Sequence, residues 1–193
     1  MVKFSRPGEK VLYRGKSFEI VSQKLKTNDK VIGLEIARRS PGVRLIIIKG
    51  KKILLTREYR YELKGYDYRL PGGKVFDSLK DYEIALKTES NILKHATNAA
   101  KKECLEETGL IAKNIRHFHS SKAGLTVEWD LFYFIVDDFT KYKGGQQLGH
   151  GEEIYPVWAT FKEALKLCLN AKVQEDRSVG ILLRFLLNPK NQI

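Results

Sequence analysis

Alternating and continuous apolar stretches divide the chain into strands and helices. Short alternating stretches predict three strands in the first forty residues, and the apolar run Val43 to Ile48 is typical of a buried strand. Turn residues such as Ser40-Pro41-Gly42 separate these stretches. The predicted strands are, in order, Lys10 to Tyr13, Ser17 to Leu25, Lys30 to Ala37, Val43 to Ile48, Ile53 to Tyr59, Tyr66 to Leu70, Leu110 to Phe118, Thr126 to Val136 and Ile154 to Ala159.

Helical spacing of apolar residues occurs in the middle and at the end of the chain. A helix is predicted over about Ser78 to His95, and a second one ends at Gly109. Thr97 or Asn98 is a candidate cap for the second helix, unless the two helices run together. Thr160 with Glu163 forms a capping box that opens a helix to about Asn170, and a last helix spans about Glu175 to Leu187. This order predicts a mixed α/β sandwich whose sheet is covered by helices.

Composition predicts the number of domains and the cellular compartment. A chain of 193 residues with 42% hydrophobic content can form one domain with a core, preceded by a small extension. No apolar stretch reaches the roughly 18 residues that span a bilayer, and the polar segment Met1 to Lys10 lacks a signal-peptide pattern. We therefore expect a cytoplasmic protein without membrane contact. Cys104 and Cys168 fall on predicted helices, which indicates reduced, buried thiols.

The net charge of +12 could indicate a polyanionic partner. However, the lysines and arginines are scattered, and the chain has no block of like charges and no RNA-binding signature. A nucleic-acid partner is therefore not expected. A positive field would equally attract a small diphosphate substrate.

Three carboxylates share one face of the second predicted helix. Glu103 is three and four residues before Glu106 and Glu107, so the three side chains are neighbours on a helix. Their repulsion would turn into attraction around a divalent cation, and Mg²⁺ prefers oxygen ligands and phosphate-bearing substrates. The alternative is a solvated helix face that ends at a glycine cap. Upstream, the turn Pro71-Gly72-Gly73 allows a backbone to approach a ligand closely.

Two runs, separated by a predicted helix, together resemble the signature of the Nudix hydrolase family. The first runs from Arg69 to Lys74, and the second is Lys102-Glu103-Cys104-Leu105-Glu106-Glu107-Thr108-Gly109-Leu110. The family has a glycine, a lone glutamate, and then Arg-Glu-apolar-x-Glu-Glu-x-Gly-apolar. The resemblance covers about Val43 to Leu187. It implies a Nudix-type α/β/α sandwich with a mixed sheet.

The first half of the signature departs from the family pattern. Leu79 stands where the lone glutamate would fall, and Lys102 replaces the arginine that pairs with it. Lys102 lies 29 residues after Gly73, whereas the family arginine lies 14 after its glycine, which is an insertion of fifteen residues. Lysine lacks the planar fork of arginine, so it cannot form the same clamp. Glu83 and Glu89 in the insertion are candidate replacements for the missing partner.

Two segments resemble the ADP-ribose pyrophosphatase branch of this family. One is Ile53 to Arg60, and it makes Arg60 a candidate phosphate contact. The other is the N-terminal β extension, which in that branch crosses to the second subunit of a dimer. We therefore expect a homodimer built from an extension at residues 1–40 and a Nudix hydrolase domain at residues 41–193.

The resemblance implies Mg²⁺-dependent hydrolysis of a nucleoside diphosphate derivative such as ADP-ribose or another nucleotide sugar. The expected ligands of Mg²⁺, or of Mn²⁺, are Glu103, Glu106, Glu107 and the Gly72 carbonyl. The candidate substrate contacts are Arg60, Gly73 and Lys102. Glu152 and Glu153, in a loop before the last strand, are candidate general bases, with His150 as a lesser one. Alternatives are another Nudix substrate (a dinucleoside polyphosphate, a nucleoside triphosphate or capped RNA) and a non-catalytic nucleotide-binding module.

Overall fold

The computed structural model describes residues 8–26, 30–88 and 90–188. Glu89 and most of the polar N-terminal segment lie outside this part of the chain. The elements are β1 (Glu9–Arg14), β2 (Phe18–Lys26), β3 (Val31–Arg39), β4 (Gly42–Lys49), β5 (Lys52–Arg60), β6 (Gly65–Arg69), α1 (Leu79–Lys87), α2 (Ile92–Thr108), β7 (Leu110–Ser121), β8 (Val127–Glu128), β9 (Leu131–Lys141), β10 (Ile154–Thr160), α3 (Phe161–Leu169) and α4 (Asp176–Leu186).

A large mixed sheet forms the centre of the molecule, with strand order β10-β5-β4-β9-β7 and β6 paired to β5. The strands β4 and β9 run parallel, and the other pairs are antiparallel. Successive residues of β4 face opposite sides, so Val43, Leu45 and Ile47 pack with α2. Ile46 packs on the other side, in the cluster that contains residues of α3 and α4. Both faces are therefore covered by helices, which confirms the predicted α/β/α sandwich.

A second, smaller sheet has the order β1-β2-β3-β8 and contains the N-terminal strands. The side chain of Arg38 on β3 is buried in it and is paired with three carboxylates, those of Glu9, Glu19 and Glu128. Glu128 belongs to β8, so one short strand from the middle of the chain completes the N-terminal sheet. The predicted strand Thr126 to Val136 is thus divided between the two sheets.

The helix α2 begins earlier than the sequence predicts. Asn91 caps it, and the Asn91 side chain accepts a hydrogen bond from the Lys94 N–H at 3.0 Å. The predicted caps Thr97 and Asn98 are wrong, because both residues lie inside the helix and the Thr97 hydroxyl donates to the Leu93 carbonyl. Gly109 ends α2 in the left-handed conformation, as predicted.

Two further predictions from the sequence are confirmed. Cys104 and Cys168 are both buried free thiols, and the capping box of Thr160 and Glu163 is present at the start of α3. Among the residues that the structure describes, no helix has the length and apolar character needed to cross a membrane.

Candidate active site

The turn Pro71-Gly72-Gly73 follows β6 and packs against the backbone of β4. The Val43 N–H donates to the Gly73 carbonyl at 2.9 Å, and the Leu45 N–H donates to the Pro71 carbonyl at 2.8 Å. Gly72 has a φ of +147°, and a Cβ on it would lie 2.1 Å from the Val43 carbonyl oxygen. Glycine is required here, because the backbone conformation is strained for other residues and the neighbouring atom cannot move aside.

Two carboxylates of α2 lie against this turn. The Gly72 N–H donates to Oε2 of Glu107 at 2.7 Å. A Cβ on Gly73 would lie 2.1 Å from Oε1 of Glu103, so the glycine leaves room for that carboxylate. Within the described part of the chain, the Gly72 carbonyl accepts no hydrogen bond and is available to a ligand.

The environment raises the pKa of both carboxylic acids. Burial, and then the negative charge of Glu106, raises the pKa of Glu103 to about 7. Burial raises the pKa of Glu107 to about 8, and the bond from the Gly72 N–H offsets this only in part. The positive charge of Arg44 lowers both pKa values. An added cation would therefore stabilise the ionised form of both groups.

A cavity of about 560 Å³ opens beside the turn and the two carboxylates. Seven of the residues singled out from the sequence line it: Arg60, Gly72, Gly73, Glu103, Glu107, Glu152 and Glu153. They come from β5, the turn, α2 and the loop before β10. The fold thus brings together residues that are up to ninety-three positions apart in the chain.

Glu106, Lys102 and His150 do not line this cavity. Nζ of Lys102 lies 3.8 Å from Oε1 of Glu106, one helical turn away, and the two side chains are 59% and 31% exposed. Lys102 therefore faces a carboxylate of its own helix. Glu106 remains close enough for its charge to act on Glu103.

Glu83 does not replace the lone glutamate that pairs with an arginine in the family signature. The Glu83 carboxylate pairs with Arg14 at 3.0 Å and with Lys87 at 2.7 Å, so its prediction as a partner for Lys102 is wrong. Glu89, the other candidate, lies outside the described residues.

Arg60 at the end of β5 is held between two carboxylates. Its Nε donates to Oε1 of Glu62 at 2.9 Å, and its Nη1 lies 3.6 Å from Oε2 of Glu58. Glu58 also lines the cavity and raises the pKa of Glu107. The sequence reasoning missed Glu58, although the two-residue period of a strand places it on the same face as Arg60.

The loop before β10 supplies two exposed carboxylates. Oε2 of Glu152 accepts a hydrogen bond from the Gly149 N–H at 2.8 Å. Its negative charge contributes to the raised pKa of Glu103, so the two groups are close enough to interact. Glu153 lines the cavity beside it. Gln146 anchors the loop, because its side chain donates to the carbonyls of Glu107 and Ile154 at 2.5 and 3.0 Å.

A buried ion pair lies at the wall of the cavity, which Arg44 of β4 lines. Arg44 donates from Nε and Nη2 to the two carboxylate oxygens of Glu175, at 2.9 and 3.2 Å. Ser178 donates to the same carboxylate at 2.5 Å. This pair interrupts the otherwise apolar run of β4. The sequence reasoning missed it, since the two residues are 131 positions apart and no local pattern links them.

The donor set fits a hard divalent cation in its chemistry. Within residues 8–26, 30–88 and 90–188, no three His, Cys, Asp or Glu side chains converge as a ready-made metal site. However, Glu103 and Glu107 are half-buried carboxylates with raised pKa values, and the Gly72 carbonyl accepts no hydrogen bond from the described residues. All of these ligand atoms are oxygens, which suits Mg²⁺ or Mn²⁺. Glu106 lies one turn from Glu103 on the same helix.

Comparisons with known proteins agree with this fold. The chain matches the NUDIX domain family over residues 38–179. It is also similar to a solved structure described as the crystal structure of an ADP compounds hydrolase, with a TM-score of 0.69 and 17% sequence identity. That alignment covers 99% of this chain and 97% of the other chain. No curated protein sequence matches this chain.

The matched residues include the glycine turn, α2 and the loop that carries Glu152 and Glu153. The chain therefore belongs to the Nudix family. It is a Nudix pyrophosphohydrolase, which is a class of enzyme that acts on small nucleotide substrates and generally uses divalent cations.

Proposed function

We propose that this enzyme hydrolyses the diphosphate linkage of a nucleoside diphosphate derivative in a Mg²⁺-dependent reaction, with ADP-ribose or another nucleotide sugar as substrate. The observation that carries the proposal is the pair of half-buried carboxylates, Glu103 and Glu107, against the turn at Gly72 and Gly73. The likeness to a structure described as an ADP compounds hydrolase supports the adenosine diphosphate part of the substrate.

In this proposal Glu103, Glu106, Glu107 and the Gly72 carbonyl hold the cation. When bound, Mg²⁺ neutralises charge on the phosphoryl oxygens and makes a coordinated water more acidic. Arg60 donates to a substrate phosphate from its place between Glu58 and Glu62. Gly73 keeps the backbone close to the substrate, because any side chain there would meet the Glu103 carboxylate. Lys102 contributes positive charge near Glu106.

Glu152 or Glu153 accepts the proton from the attacking water. A base must come within hydrogen-bond reach of that water, and both carboxylates line the cavity. Glu152 is the better placed of the two, since its charge already acts on Glu103. The glycines at positions 149 and 151 beside them suit a loop that adjusts when substrate binds.

The test is AMP formation from ADP-ribose, measured with Mg²⁺ and with excess chelator, for the parent and for glutamate-to-glutamine variants. We expect Glu107→Gln and Glu106→Gln to lower turnover by about a hundredfold or more, which corresponds to about 2.7 kcal/mol of transition-state stabilisation. Glutamine keeps the size of the side chain and still accepts the bond from Gly72, so folding should persist.

Glu83→Gln is the matched control, because Glu83 is paired with Arg14 and Lys87 outside the cavity. It should keep parent turnover. Parent turnover in both Glu106→Gln and Glu107→Gln would reject the metal assignment. Over a range of pH, Glu152→Gln or Glu153→Gln should alter the acidic limb of the rate profile, and an unchanged limb in both would reject the loop base.

A further inference from the structure

A tryptophan beside the active-site cavity is covered by two arginines. Trp129 lies between β8 and β9, and the guanidinium carbons of Arg39 and Arg177 each lie 4.3 Å from the centroid of its ring. Nη1 of Arg177 also donates to the Trp129 carbonyl at 2.8 Å. The attraction between cation and aromatic ring, together with this hydrogen bond, fixes the two guanidinium groups in place.

Several donors of this arginine group have no acceptor. Nη2 of Arg177 and Nε of Arg69 are buried, and neither has a hydrogen-bond partner among the described residues. Nε of Arg69 lies 3.6 Å from Oδ2 of Asp67, which is too far for a hydrogen bond. The guanidinium group of Arg39 forms no hydrogen bond or ion pair within residues 8–26, 30–88 and 90–188. A buried donor without a partner is costly, so an acceptor supplied by a ligand would bind favourably here.

Ion pairs with carboxylates involve only part of this arginine group. Arg44 is neutralised by Glu175, and the Glu175 carboxylate lies 4.0 Å from Nη2 of Arg69. Asp67 is the remaining acid in contact with Arg69. Burial, and then the positive charges of Arg44 and Arg177, lowers the pKa of Arg39. Arg177, like Arg39, forms no ion pair within the described residues, so both guanidinium groups are available to a ligand anion.

This group lies where the active-site cavity meets a second depression. Arg69, Trp129 and Glu62 line both spaces, and the second has a volume of about 450 Å³. Arg177 lines only the second, whereas none of the α2 glutamates does. Asp176 and Glu175 are the other charged residues of the depression besides Asp67. A ligand group held by Arg177 therefore occupies a different place from the diphosphate beside Glu103 and Glu107.

We propose that Arg39, Arg69 and Arg177, held around Trp129, bind a phosphate monoester that the substrate carries in addition to the diphosphate that is cleaved. Guanidinium groups match phosphate oxygens in geometry, and those oxygens supply acceptors for the donors that have no partner among the described residues. The proposal rests on the proposed function and narrows it to nucleoside diphosphate derivatives with a further phosphate.

The first experiment compares substrates that differ only in this phosphate: NADPH against NADH, and coenzyme A against dephospho-coenzyme A. With Mg²⁺, the parent should show a kcat/KM at least about tenfold higher for the phosphorylated member of at least one pair. Arg39→Gln and Arg177→Gln should lose this preference, mainly through a higher KM for the phosphorylated member. Arg184→Gln, a change on the same helix as Arg177 but outside both cavities, should keep it.

The second experiment measures binding without turnover or metal. By calorimetric titration, adenosine 2′,5′-bisphosphate should bind the parent at least about tenfold more tightly than AMP does, and Arg177→Gln should remove the difference. Equal kcat/KM within both pairs, or a preference that both arginine variants retain, would overturn the proposal. If no compound is hydrolysed, the proposed function fails. The titration alone then tests the phosphate site, and equal binding of the two nucleotides would overturn it.

Discussion

Gly72 connects the central sheet to the candidate active site. Its backbone contacts β4, and its N–H donates a hydrogen bond to Glu107. Replacing it with alanine places a methyl group 2.1 Å from the Val43 carbonyl in a conformation that L residues avoid. We expect Gly72→Ala to lower the free energy of unfolding by about 2–3 kcal/mol or more, from strain and from the displaced turn. Urea denaturation measures this change.

Gly50→Ala is the matched control for that prediction. Gly50 also has a positive φ, of +56°, but a Cβ on it would meet nothing within 4 Å. It should therefore cost only the conformational strain, about 1 kcal/mol. A Gly72→Ala variant that is no less stable than Gly50→Ala would show that β4 and the turn are not locked together as described.

Residues of the site differ in how far the sequence could predict them. Glu103, Glu106 and Glu107 lie within five positions, so helix geometry alone groups them. Arg44 and Trp129 could not be placed beside them, because only the packing of distant strands brings these side chains to the cavity. The same limit explains why Lys102 was expected at the substrate, whereas it pairs with Glu106 on its own helix.

At the scale of elements, periodicity and capping residues predicted nearly every strand and helix. The exceptions arise where tertiary contacts override local signals. Asn91 rather than Thr97 caps α2, since Ala96, Ala100 and Cys104 extend the buried stripe of the helix toward its start. The predicted strand at residues 126–136 breaks at Trp129 and Asp130, because β8 pairs with β3 in the other sheet. Hydrophobic pattern does not tell which sheet a strand joins.

One buried ion pair links β4 to the residue that precedes α4. Burial raises the pKa of Glu175, but the charge of Arg44 and the bonds from Arg44 and Ser178 hold that pKa below its ordinary value of 4.5. The ionised carboxylate therefore contributes stability above that pH, and the contribution is lost as the pH falls through the folded-state pKa. At pH 7, Glu175→Gln should cost about 3 kcal/mol, because it leaves Arg44 buried without a counter-charge.

Denaturation of parent and Glu175→Gln at pH 7 and at decreasing pH below 4.5 measures that contribution. The difference in unfolding free energy should shrink toward zero as the pH falls. The double change Arg44→Met with Glu175→Leu is the control, and it should be more stable than Glu175→Gln alone at pH 7, since no buried charge remains unpaired. A stability difference independent of pH would mean that the charge of Glu175 is not the source of the effect.

At the scale of the whole molecule, the N-terminal sheet leaves apolar side chains in solvent. All six residues of β1 are exposed. Large apolar side chains exposed on the first three strands are Val11, Leu12, Tyr13, Phe18, Val31 and Ile32. Tyr13 and Phe18 contact each other and form an exposed apolar surface, and surfaces of this kind mark interaction sites. We propose that the extension at residues 1–40 mediates dimerisation through this surface and leaves residues 41–193 as the hydrolase domain.

Tyr13→Glu tests this interface, because Tyr13 is 56% exposed and contacts Phe18 with ring centroids 6.1 Å apart. The mass in solution is measured by size-exclusion chromatography with light scattering. We expect the parent to have twice the mass of the chain, and the variant to shift toward the monomer at the same concentration. The reason is that a charge buried without a partner in the interface opposes association. Leu169→Glu is the control, because Leu169 is 70% exposed but lies on α3. It should leave the mass unchanged. A monomeric parent, or a dimer that persists in Tyr13→Glu and dissociates in Leu169→Glu, would place the interface elsewhere or exclude it.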